Sequence, residues 1–147
     1  MRTLAIDLGT RRIGLALSDE GGRFATPHSV LQVGSPDLAI DPIVQLIARE
    51  GVQRLVVGLP LNMDGSLGAQ ARSVIQWSRQ LQKKSDVPFL FVDERLSSFD
   101  AEQQIVERKR KGEKITRKSK RAQLDAIVAS TLLQEFLDGK LAPLDVK

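Results

Sequence analysis

Apolar and polar positions change period along this chain, and the changes divide it into elements. Residues 3–8 (TLAIDL) and 13–18 (IGLALS) are short apolar runs split by GTRR, which predicts two strands of a hairpin or meander. Gly9 and Gly14 suit a sharp turn and a close backbone approach. A third strand is expected after Pro27, over residues 29–33, before Gly34, Ser35 and Pro36 break the pattern. Over residues 37–50 the period becomes helical, with Ile40, Ile43, Val44 and Ile47 on one face and Gly51 where a C-terminal cap belongs. Residues 54–59 (RLVVGL) form a continuous apolar run, the pattern of a strand buried on both faces. A loop at 60–65 leads into a helix expected over 66–84, its inner stripe made of Leu67, Ala71, Val74, Ser78 and Leu81. After Pro88, FLFV reads as another buried strand and ends in Asp93, Glu94 and Arg95. Helical segments follow at about 98–109 and 119–138, and residues 139–147 read as a loose tail.

The predicted order is β-β-β-α-β-α-β-α-α. Strands joined by short links pair antiparallel, and strands entered through helices pair parallel. The fold class is therefore α/β, a mixed sheet with helices on both faces. The 147 residues suit one domain over 1–138 followed by the tail at 139–147, and show no repeat or linker. With no cysteine, disulfides and thiolate metal sites are excluded, which fits a reducing compartment. No apolar run approaches the ~20 residues needed to cross a bilayer, and Asp7 interrupts the first apolar stretch, so no membrane role and a cytoplasmic location are expected.

Charge is distributed unevenly. Residues 108–121 hold nine basic side chains and one acid, Glu113, while the rest of the chain carries 13 basic and 17 acidic residues. A run of this kind is either a solvated loop or a polyanion contact, in which Lys and Arg displace counterions from phosphates. Lys109, Arg110, Lys111, Lys114, Arg117 and Lys118 are the candidate nucleic-acid contacts in it, and Arg95 is a further candidate beside Glu94.

Three acids stand out. Asp7 interrupts an apolar strand, where a carboxylate is costly unless paired or metal-bound; the plainer reading is a turn aspartate capping the bend after it. Asp93 and Glu94 end the last strand, where open α/β sheets place their sites. Neighbouring strand residues point to opposite faces, so one of the two enters a shared site. Glu94 has the longer reach, and Asp93 could instead cap the following helix. Asp125 lies in QLDAIVAS with Ala122 and Ala129 on its helical face, small residues that leave room beside it; otherwise it is an exposed helical acid. Three such carboxylates are what a Mg²⁺ or Mn²⁺ site needs, and two ions can serve phosphodiester hydrolysis with no histidine base. His28 is the only histidine, and no phosphate-loop or serine-triad pattern is present. Trp77, Phe89 and Phe91 read as core, not as a base-stacking platform.

Four segments carry a resemblance: AIDLGTRRIGLALSD at 5–19, VVGLPLNMDGSLGAQA at 56–71, FVDERLSS at 91–98, and residues 118–134. Together they resemble the YqgF family, also called RuvX, known as pre-16S rRNA nucleases or Holliday junction resolvases. The resemblance spans about residues 1–138 and implies an RNase H-like fold with strand order 3-2-1-4-5. It implies catalytic acids at Asp7, Glu94 and Asp125, and places Thr10, Arg11, Arg12 and the 62–65 loop at the rim, where they could meet substrate phosphates. Val128 stands where the family usually has alanine. Related resolvases carry an acid at the end of the fourth strand, and Gly58, Leu59 and Pro60 occupy that place here. The expected activity is metal-dependent endonucleolytic cleavage of structured nucleic acid, either 5′-end processing of pre-16S rRNA or junction resolution, the latter favouring a twofold homodimer. The rival readings are a non-catalytic RNA-binding module and an actin-like nucleotide clamp. The second needs two such domains, and this chain has room for one.

Overall fold

A computed structural model describes residues 1–9, 11–94 and 117–145, with the side chains of 117–123 outside the description. Five strands form one sheet: β1 (Thr3–Leu8), β2 (Arg12–Ser18), β3 (Ala25–Gln32), β4 (Arg54–Leu59) and β5 (Phe89–Asp93). Their order is β3-β2-β1-β4-β5, as the resemblance implied. β1 and β2 pair antiparallel, as do β2 and β3, whereas β1–β4 and β4–β5 are parallel. The helices are α1 (Ile40–Glu50), entered through a 3-10 turn at Pro36–Ala39, then α2 (Ala69–Lys84) and α3 (Arg117–Leu137). The expected helix at 98–109 lies outside the described residues.

Strand alternation gives the sheet two apolar faces. Leu4, Ile6 and Leu8 of β1 join Ile13, Leu15, Leu55 and Val57 in the larger core, under Ile43, Ile47, Val74 and Leu81 of α1 and α2. Ala5, Ala16, Val56 and Val92 point the other way and meet Ala129, Leu132 and Leu133 of α3. Side chains on the α3 face are mostly small, so that helix lies close. An added Cβ on Gly14 would run into the backbone of Asp125 itself.

Four details differ from expectation. β3 begins at Ala25, ahead of Pro27 and not after it. It is an edge strand, and its register with β2 shifts between Leu15 and Ala16, so a residue lacking an N–H is tolerated there. In α1 the buried face is Ile40, Ile43, Leu46 and Ile47, with Val44 only packed against its margin. Gly51 does cap α1 in the left-handed conformation, at φ 64°. α2 starts at Ala69, leaving Leu67 exposed, because Ser66 is held in the preceding turn by bonds to Asn62 and Asp64. The stretch after α3 is not loose throughout: Leu144 donates its N–H to the Phe91 carbonyl (2.7 Å) on the β5 edge and packs against the core.

Candidate active site

Alternation on β1 sends Asp7 to the α3 side of the sheet, the side that Ala5 occupies. On β5 the same argument separates the two candidate acids. Val92 faces α3 while Phe91 faces the larger core, so Glu94 lies on the Asp7 side and Asp93 on the opposite one. Glu94 leaves the strand with its N–H bonded to the Leu59 carbonyl (3.2 Å). Its side chain then passes over Gly58, whose missing Cβ would stand 2.6 Å from Oε2. Gly58 follows the Ile6–Val57 pair and so is level with Asp7 in the β1–β4 register. The fourth strand thus supplies a gap in place of an acid, and the Glu94 carboxyl crosses that gap to hydrogen-bond with Asp7.

Asp125 comes from α3. Gly14 pairs with Asp7 across β1 and β2, and the helix backbone at Asp125 rests on that glycine. Asp125 therefore stands over the β2 side of Asp7, as Glu94 stands on the β5 side. Its carboxylate meets Arg12, with Nε to Oδ2 at 3.0 Å, and is close enough to Asp7 to feel its charge. Among the described residues, no three acidic or histidine side chains stand close enough to hold an ion as placed. Two carboxyls touch, and the third is turned to an arginine.

The electrostatics are those of charges crowded out of water. Asp7 and Glu94 keep some exposed surface, yet burial is the leading cause that raises both carboxyls. Glu94 is pushed up to about 10, first by burial, then by the Asp7 charge and by the hydrogen bond they share, and last by Asp93. The shared bond lowers Asp7 and raises Glu94, which makes Glu94 the protonated partner, its hydroxyl donating to Asp7. Asp125 is also raised, by burial first and by Asp7, against the pull of Arg12. Glu94 Oε2 and Asp125 Oδ2 are inaccessible and, among the described residues, have no aligned hydrogen-bond donor, so the Arg12 contact is one of charge alone. Hard carboxylate oxygens, two of them buried without a donor, suit a divalent ion by donor chemistry.

Beside Asp125 opens a groove of about 780 Å³ lined by Gly9, Arg11, Arg12, Gln32, Val33 and Gln70. Arg11 and Arg12 are thus brought to the site. Thr10, Arg95, Lys109, Arg110, Lys111 and Lys114 lie outside the described residues, as do the side chains of Arg117 and Lys118. Gln32 and Gln70 were not anticipated. Gln70 falls inside the GSLGAQA segment at 65–71, but a lone glutamine carries no signal for a site. The 62–65 loop follows β4 directly, closed by Gly65 N–H to the Asn62 carbonyl (2.8 Å). Val128 packs with Leu124 and Ile127, outside the cluster facing the sheet. His28 sits exposed on β3, bonded to the Ser29 hydroxyl, while Trp77 is buried and donates to the Pro36 carbonyl (2.8 Å).

Comparison with known proteins gives the family and the fold. The family model described as "RuvX: Holliday junction resolvase" matches residues 1–139. A relative from Roseiflexus sp. (strain RS-1) is 41% identical over 139 residues, covering 95% of each chain. One from Chloroflexus aurantiacus is 42% identical over 137 residues, covering 93% of this chain and 86% of the relative. Both are provisionally named pre-16S rRNA nucleases. Among solved structures, Thermus thermophilus RuvC in complex with a Holliday junction substrate superposes with TM-score 0.60 over 98% of this chain and all of the other, at 16% identity. That likeness establishes the RNase H-like fold.

Proposed function

This chain belongs to the RuvX family of nucleases, and we propose that it cuts structured nucleic acid with Asp7, Glu94 and Asp125 as its catalytic acids, in 5′-end processing of pre-16S rRNA. The observation that carries the reading is the Asp7–Glu94 pair, crossing Gly58 on the same sheet face that receives Asp125. Crowded buried carboxylates cost stability, and a purely structural module gains nothing from them. The same cost argues against the non-catalytic RNA-binding reading.

The three carboxylates would hold Mg²⁺ or Mn²⁺, which supplies a Lewis acid for the scissile phosphate and an activated water. The residues themselves do the rest. Arg11 and Arg12, on the groove wall, bind substrate phosphates as charge-assisted donors. A phosphate that takes Arg12 would free Asp125 to turn toward Asp7, where the three carboxylates could then serve together as ligands. To hold such an ion Glu94 would have to give up its proton, so metal uptake would release protons. The site works on nucleic acid in the cytoplasm.

Junction resolution is the second reading, favoured by the description of the family model. The test is cleavage by the purified protein with Mg²⁺ or Mn²⁺ of a precursor-rRNA fragment, a four-way DNA junction and a plain duplex. Cleavage of the rRNA fragment near the mature 5′ end supports the first reading. Symmetric nicking of the junction by a dimer, with the rRNA left intact, reverses the ranking. No metal-dependent cleavage of any of the three ends both.

A further inference from the structure

α2 carries a second charged feature, away from the carboxylates and outside the basic segment at 108–121. Its sixteen residues contain Arg72, Arg79, Lys83 and Lys84 and no acid. Lys84 is committed to Asp41 at 2.9 Å. The other three are exposed, and among the described residues none pairs with an acid. At 100° per residue Arg72, Gln76, Arg79 and Lys83 fall on one stripe, opposite the buried Val74, Trp77 and Leu81. At 1.5 Å per residue that stripe is about 16 Å long. It begins at a shallow groove of about 460 Å³ lined by Leu67, Arg72, Ile75, Gln76 and Arg79. Two residues before Arg72, Gln70 lines the groove that holds Arg11, Arg12 and Asp125.

We propose that the Arg72–Gln76–Arg79–Lys83 stripe is a second phosphate-binding track, carrying an arm of the nucleic acid away from the cleavage site along α2. Like-charged side chains on one face repel each other and lower helix stability, so a stripe without compensating acids is suited to an anionic ligand. Its spacing reads backbone charge and no bases, and a polyphosphate strand is the occupant that matches an extended row of cations. Continuity with the Gln70 end of the first groove sets the path: a substrate with one arm at Arg11 and Arg12 has its other arm directed onto α2. This rests on the nuclease reading only for the direction of the strand, and its test needs no cleavage.

Binding is measured in EDTA, without catalysis, on a four-way DNA junction and on an RNA hairpin with a single-stranded extension, across a salt series. The variant is Arg72→Gln/Arg79→Gln/Lys83→Gln, checked for unchanged circular dichroism and a melting temperature no lower than that of the native protein. Its slope of log K against log salt is expected to flatten by about 0.7 per lost contact on single strands and about 0.9 on duplex. Arg72→Lys/Arg79→Lys should keep the native slope, because a phosphate track needs charge and not the guanidinium fork. A native slope in the glutamine variant overturns the proposal, as does failure of the native protein to bind either probe. So does loss of self-association or of polyglutamate binding in the glutamine variant with its nucleic-acid slope intact, which would assign the stripe to a protein partner. Loss of cleavage in Asp7→Asn with binding retained bears on the carboxylates alone.

Discussion

Arg12 and Asp125 meet across the interface between sheet and helix, with the guanidinium Nε 3.0 Å from the carboxylate Oδ2. They are partners on opposite sides of a choice. On the proposed reading, the pair keeps Asp125 from Asp7 and Glu94, and Arg12 from substrate. The side chains are 37% and 21% exposed, so solvent screens the pair, and its loss should change stability by no more than about 1 kcal/mol.

Arg12→Gln should therefore separate metal binding from substrate binding. Without nucleic acid, Mn²⁺ affinity by calorimetry should rise, because Asp125 has lost its competitor. Affinity for a four-way junction should fall, with a flatter salt slope. Weaker Mn²⁺ binding in the variant would show that Arg12 supports the ligand set and does not compete for it.

The raised carboxyls set a direction for pH dependence. Glu94 ordinarily titrates at 4.5 and is pushed up to about 10 in the fold. Between those values the native state holds a proton that the unfolded chain has released, so stability falls as pH rises. The metal-free protein should be most resistant to urea at the acid end of this window and lose resistance steadily toward about pH 10. Mg²⁺ should reverse part of the loss above neutrality, because the ion replaces the proton. Denaturation midpoints across pH, with EDTA and with Mg²⁺, check both signs. Stability that rises with pH would mean that Glu94 is ionised and otherwise stabilised.

Gly58 has a second test. A Cβ there would stand 2.6 Å from Glu94 Oε2 and 2.8 Å from Leu132 Cδ1. Gly58→Ala should cost about 1–3 kcal/mol as an overpacked contact and push the Glu94 carboxyl away from Asp7. Cleavage should fall even at temperatures where the variant is fully folded. Gly14→Ala meets the backbone of Asp125, which cannot rotate aside, so its melting temperature should fall further than that of Gly58→Ala. Equal, small losses in both would mean that α3 rides further from the sheet.

Much of this was legible in the sequence because burial writes itself as period. The hairpin, the buried strands and the late helix followed from runs such as TLAIDL and RLVVGL, and strand alternation is enough to set Glu94 apart from Asp93 once both faces of β5 are known. Strand order came from the resemblance, since period alone does not say which strands are neighbours. Three features were obscured. The β3 start was hidden by Pro27, which is disfavoured in a central strand but allowed at an edge, and edge position is a tertiary fact. Leu67 fits the apolar stripe of α2, but the Asn62–Ser66 turn stops the helix short of it. The α2 stripe was overshadowed by the denser run at 108–121, although a helix with four cations and no acid was visible in the composition of that segment.

Asp7→Asn is the most direct test of the carboxylate reading. The substitution keeps the shape and leaves an amide oxygen to accept the Glu94 hydroxyl, so the fold should be retained. It removes a buried charge that repels the Asp125 carboxylate, so the melting temperature should stay level or rise. With the Asp7 charge gone, its repulsion no longer raises Glu94, and the Glu94 titration followed by carboxyl NMR should move back toward its ordinary range. Metal-dependent cleavage should fall by more than about a hundredfold, since loss of an outer partner of a ligand already costs about 10–100-fold. Asp93→Asn is the matched control. Asp93 lies on the opposite face of β5, so the variant should cleave normally and lower the Glu94 titration only slightly, by removing its weakest cause. If Asp7→Asn keeps native cleavage, or if Asp93→Asn abolishes it while Asp7→Asn does not, the site is not the Asp7–Glu94 pair and the proposed assignment of catalytic acids fails.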